Sequence, residues 1–117
     1  MSGLQNQGEG RFTVSGPMSF ETAGPLLAES QRAFFEFSVL EVDMADVAEV
    51  DSAGLALLLE WVSWARNDIR EIRFRNVPEK LRAIARISEV EELLDAGERW
   101  KGDSGYWELA RLMRQDD

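Results

Sequence analysis

Between Leu55 and Arg66 the chain has almost no polar side. Leu55, Leu57, Leu58, Leu59, Trp61, Val62 and Trp64 point in nearly every direction around a helix of about 3.6 residues per turn. Such a helix is either buried deep in a fold or shared with a partner. Asp51-Ser52-Ala53-Gly54 introduces it, with Asp51 or Ser52 able to cap its first free N–H groups, and Asn67-Asp68 ends it.

Strand signals flank this helix on both sides. Arg11–Gly16 alternates polar and apolar residues and stops at Gly16-Pro17, and Glu71–Val77 alternates through Ile72 and Phe74. Phe37–Val42, with apolar side chains to both sides of Leu40, predicts a central strand buried on both faces, and Met44–Val50 reads as a loop or short turn. Another helix is expected after Ser19, where Phe20, Ala23, Leu26, Leu27, Ser30 and Phe34 recur at helical spacing. Because proline belongs in a first turn, Pro25 sets its regular start near Gly24 and leaves Phe20–Ala23 as a separate turn. A third helix starts at Pro78, with Leu81, Ile84, Ala85 and Ser88 on one stripe and Lys80, Arg82 and Arg86 outside it. Val90–Asp95 fits a short strand or a helical turn. Gly97–Asp103 reads as a polar loop, and Tyr106, Leu109, Ala110 and Met113 predict an amphipathic terminal helix begun by Asp103 or Ser104.

Strands alternating with helices are the mark of βαβ units, whose crossovers make neighbouring strands parallel and cover them with helices. The expected fold is a single α/β domain over residues 11–117, after a flexible leader at residues 1–10. Its sheet is expected to be mixed but mostly parallel, four- to five-stranded, and covered by about four helices.

Composition removes many chemistries. The 117 residues include no Cys and no His, which excludes disulfides, thiolate nucleophiles, His-based triads and most transition-metal sites. A net charge of −9 argues against nucleic acid as a partner, since phosphate neutralisation supplies most of such affinity. No signal peptide and no apolar run of about 18 residues is visible, so a soluble cytosolic protein is expected. The charge is unevenly spread: seven acids (Glu36, Glu41, Asp43, Asp46, Glu49, Asp51, Glu60) and no base lie between Ala33 and Ala65, whereas Arg66–Arg86 holds seven of the 13 basic residues. Two solvated faces explain this better than a lipid-headgroup or RNA patch.

The run Val50-Asp51-Ser52-Ala53-Gly54-Leu55-Ala56-Leu57-Leu58-Leu59, following a strand and opening a helix, resembles the signature of STAS domains, named after sulfate transporters and anti-sigma factor antagonists. The order of elements extends the resemblance from about Phe12 to Leu94. The Leu-Ala-Leu-Leu-Leu run with its Trp-bearing helix, and Asn76-Val77-Pro78-Glu79-Lys80-Leu81, look most like the stand-alone STAS subunit of the maintenance-of-lipid-asymmetry (Mla) ABC phospholipid transporter. The resemblance leaves Ala96–Gly105 unexplained, and Tyr106–Arg114 resembles the terminal helix some members carry. The resemblance implies a non-catalytic cytoplasmic subunit that binds the ATPase of an ABC-type phospholipid transporter and supports its assembly or activity, reaching the inner membrane only through that partner. Partner contact is assigned to Asp51, Ser52, Ala53, Gly54, Leu55, Trp61 and Trp64. The alternative is an anti-sigma factor antagonist whose kinase phosphorylates Ser52, placing nearly two negative charges beside Asp51.

The residues have plainer readings too. Ser52 can be a helix cap and nothing more, worth about 0.5–2 kcal/mol. Gly54 costs about 1 kcal/mol in a helix relative to Ala, which points to a close contact there. Trp61 and Trp64 can each be core or interface. For catalysis little remains. Gly97 and Gly102 have the spacing of a phosphate-binding loop, but Asp103 stands where Lys is required. The acid pairs Asp43 with Asp46 and Asp116 with Asp117 could attract magnesium, yet nothing beside them positions a substrate. The expectation is no enzyme, no cofactor and no metal.

Overall fold

Four strands, β1 (Gly3–Gly8), β2 (Arg11–Met18), β3 (Val39–Val50) and β4 (Glu71–Arg75), form one sheet in that order in the computed structural model, which describes residues 3–94. Helix α1 (Phe20–Ala33) and a 3₁₀ turn (Phe34–Glu36) link β2 to β3, α2 (Ser52–Asn67) links β3 to β4, and α3 (Glu79–Ile87) follows. β2, β3 and β4 are parallel and β1 is antiparallel to β2, so the sheet is the mixed, mostly parallel one expected of this α/β domain. Residues 91–94 are helical, which resolves that segment as a turn of helix. The readings for residues 96–105, the helix at 106–114 and the pair Asp116 and Asp117 lie outside the described residues.

The expected leader is instead a strand over residues 3–8. β1 pairs with β2 from Gly3 opposite Ser15 to Gly8 opposite Arg11, through a turn in which Glu9 and Gly10 have φ of 58° and 82°. Its Gly, Gln and Asn side chains give no apolar alternation, and only Leu4 packs on the core, so main-chain bonding holds it. The turn also meets β3, because the Glu41 N–H donates to the Gly10 carbonyl at 2.9 Å.

Burial is one-sided. Phe12, Val14 and Met18 of β2, Leu40, Val42 and Met44 of β3, and Ile72 and Phe74 of β4 face the helices and are buried. The other face carries Glu41, in register with Arg11 on β2 and Arg73 on β4, opposite charges on neighbouring strands. The expectation of a strand buried on both faces therefore fails: Val39 is 50% exposed, and Phe37 lies before the strand, its ring 5.7 Å from Phe12. The expected loop at residues 44–50 is also strand. Two register shifts against β2 give β3 two extra residues, and Asp43 accepts from the Ala45 N–H at 2.9 Å at the first. Bulges put adjacent residues such as Ala45 and Asp46 out to solvent, which destroys the period-2 pattern.

α1 is continuous from Phe20, so the separate turn at residues 20–23 does not exist. Thr22 Oγ1 accepts from the Ser19 N–H at 2.9 Å and fixes the start. Pro25 removes one helical bond, to the Glu21 carbonyl, and since both residues are exposed, water can serve that carbonyl. Where α1 and α2 meet the sheet, Phe34 anchors an aromatic cluster, its centroid 4.9 Å from Phe12, 5.4 Å from Trp61 and 5.7 Å from Trp64.

Candidate functional site: the start of helix α2

At the carboxyl ends of the parallel strands, Asp51 joins two helix starts. Its Oδ1 accepts from the Ala53 N–H at 2.8 Å, capping α2, and its Oδ2 accepts from the N–H of Phe20, the first residue of α1, at 3.1 Å. The Phe20 N–H, then those of Ala53 and Gly54, and Lys80 nearby hold its carboxyl below the ordinary carboxylate range, outweighing desolvation. Asp51, not Ser52, is therefore the cap. This committed carboxylate fixes how the next residue is presented.

Ser52 is the first residue of α2 and is exposed, and among the described residues its hydroxyl has no hydrogen-bond partner. Behind it, Gly54 lies against β2 so closely that an added Cβ would stand 2.5 Å from the Met18 carbonyl oxygen. That contact explains the glycine. Asp51 and Ala53 are half-buried, while Gly54 and Leu55 are buried beneath the surface.

The two tryptophans separate. Trp61 is 1% exposed, and its indole N–H donates to Ser30 Oγ at 2.8 Å, which in turn donates to the Leu27 carbonyl. It is core, and its assignment to a partner surface is corrected. Trp64 is half-buried, with the Arg70 guanidinium 5.0 Å from its ring centroid. Arg70 itself donates to the carbonyls of Phe34, Phe35 and Phe37, tying the end of α1 to α2.

What reaches solvent on α2 is a stripe of small and polar residues, Ser52, Ala56, Glu60 and Asn67 exposed with Leu59 and Ser63 half-buried. The helix is thus not apolar all round. The spacing of Ser52, Ala56, Glu60, Ser63 and Asn67 along one face carried that signal, and the density of Leu and Trp around it hid it. Phe20, 83% exposed and bonded to Asp51 through its N–H, also lies at this end and was missed.

Asp43 of the suspected acid pair is committed elsewhere, to the Ala45 N–H and to Asn76 Nδ2 at 2.9 Å, and these bonds lower its pKa. Among the described residues no group of three or more carboxylates is placed to hold a metal, and no helix is long and apolar enough to cross a membrane.

The geometry on its own defines a small α/β domain that presents a capped helix start at the ends of its parallel strands. A family model described as "Mlab, STAS domain" matches residues 2–95, and the chain belongs to the STAS domain family. Among solved structures it is similar to the one titled "Structure of the Anti-Sigma Factor Antagonist SpoIIAA in its Unphosphorylated Form", with a TM-score of 0.58, 14% identity, 72% of this chain covered and 80% of that one. At that identity the similarity shows the fold. No curated protein matches the sequence.

Proposed function

We propose that this domain is a non-catalytic binding subunit that docks, through the start of α2 and its exposed stripe, on the cytoplasmic ATPase of an ABC-type phospholipid transporter. The observation that carries the reading is Ser52, exposed and unbonded at a helix start whose own cap is already supplied by Asp51. Its hydroxyl is spare for an intermolecular contact. The family description prints the name Mlab, in keeping with the resemblance of the Leu55–Leu59 run to the Mla subunit. The exposed acids Glu49 and Glu60, with Asp51 between them in sequence and Lys80 beside it, suit a docking face of mainly basic character. The domain would then stay cytoplasmic and meet the inner membrane only through its partner.

The second reading makes Ser52 the acceptor of a phosphoryl group in an anti-sigma factor antagonist. An exposed serine at a helix N-terminus accommodates a phosphate well, and the similar solved structure is of a protein in that class. Affinity capture from native extract, wild type beside Ser52→Arg, discriminates the two. Recovery of an ATPase and its permease by the wild type alone supports docking, whereas recovery of a serine kinase or sigma regulator moves Ser52 to a switch.

A further inference from the structure

A groove of about 220 Å³ opens between α1 and α2, lined by Gln31, Phe34, Glu60, Ser63, Trp64 and Asn67 among others. Drug-sized ligands fill roughly 300–1,000 Å³, so this volume suits one long side chain better than a cofactor. Glu60, Ser63 and Asn67 belong both to the groove and to the exposed stripe that begins at Ser52. Whatever docks along that stripe also covers the groove.

The lining dictates the occupant's charge. Glu60 is the one charged side chain in it, is exposed, and has no ion-pair partner among the described residues. Arg70, the cation on Trp64, is occupied with three main-chain carbonyls and does not line the groove. Ser30 and Trp61 have already bonded each other. An apolar occupant would bury the Glu60 carboxylate unpaired, which is costly, whereas a cation on a long aliphatic stem satisfies it. The half-buried Trp64 offers an indole to that stem, and Gln31, Ser63 and Asn67 offer oxygen acceptors to its head. We propose that the α1–α2 groove is the specificity pocket of the docking surface and receives an arginine or lysine side chain from the bound protein. This rests on the docking reading above.

The chain has no cysteine, so Gln31→Cys gives a unique attachment point for a photoreactive benzophenone at the groove. The test uses the full chain and the protein whose capture depends on Ser52, with circular dichroism confirming that each variant folds. The expected crosslink joins position 31 to a partner peptide bearing Arg or Lys at the contact. Glu60→Gln weakens binding about tenfold and flattens its salt dependence, while Glu29→Gln, exposed on α1 and outside the groove, binds as wild type. Wild-type affinity in Glu60→Gln, a crosslink to a peptide without a cation, or a crosslink to residues 95–117 of the same chain overturns the pocket while leaving docking at Ser52 intact. Retention of the captured protein by Ser52→Arg overturns the docking reading itself, and capture of nothing by the wild type overturns both.

Discussion

The Cα of Gly54 faces the main chain of Met18 so closely that a methyl group added to it would lie 2.5 Å from the Met18 carbonyl oxygen. In an unobstructed helix Gly→Ala gains about 1 kcal/mol. Here the obstacle is backbone at the end of a central strand, where neither side has a rotamer to change. Gly54→Ala is expected to lose about 1–3 kcal/mol net, as overpacking does, and urea unfolding measures it. A stabilised variant would show that α2 shifts freely against β2.

Trp61 and Trp64 lie three residues apart on α2 and are expected to differ sharply. Trp61→Ala empties a core position and removes the partner of Ser30, at a cost of about 3–5 kcal/mol. Trp64→Ala leaves a site that solvent already reaches and is expected to cost less than half as much. Ser30→Ala strands the buried indole N–H and should cost about 1–3 kcal/mol by itself. Because the two residues share one bond, the effects of Ser30→Ala and Trp61→Phe are expected to be less than additive in a double-mutant cycle, read by thermal unfolding.

Asp51 and Asp43 link stability to pH with one sign. Both carboxyls titrate lower in the folded chain than in the unfolded one, so the folded state binds fewer protons and is favoured as pH rises. Their contribution is complete above the ordinary carboxylate pKa of about 3.9 and is lost as pH falls through the lowered folded values. Asp51→Asn should therefore be less stable than wild type at pH 7, and the difference should shrink between about pH 4 and pH 2. Chemical unfolding at the two ends of that window tests this, and a difference independent of pH would refute it.

How legible the fold was depended on what held each element. Elements held by apolar side chains on one face, such as β2, β4 and α3, left a period in the sequence, and the βαβ order followed from them. β1 is held by main-chain bonds through Gln, Asn and Gly and left none. The bulged half of β3 reads as a loop in the sequence because two extra residues rotate its side chains out of alternation. Asp51 was legible as a cap for α2, but its bond to the Phe20 N–H, across 31 positions, exists only once β2 and β3 end side by side. The same limit applied to the tryptophans, since a sequence shows their spacing and not which of them meets Ser30.

Ser52 is where stability and binding should come apart. Its hydroxyl supports nothing among the described residues, so Ser52→Ala is expected to stay within about 0.5 kcal/mol of wild type. Ser52→Asp adds a negative charge at a helix N-terminus, which favours the fold by about 0.3–1 kcal/mol, and Asp51 beside it opposes part of that gain. The unfolding midpoint should therefore stay level or rise. On the proposed docking reading binding should nonetheless fall, because the added carboxylate adds negative charge at the proposed contact and removes a donor. Calorimetric titration of the captured partner against both variants, with thermal unfolding of the same samples, reads the two effects separately. If Ser52→Asp instead melted earlier, its lost affinity would report a damaged fold, and the serine would belong to the scaffold of α2 and not to the surface it presents.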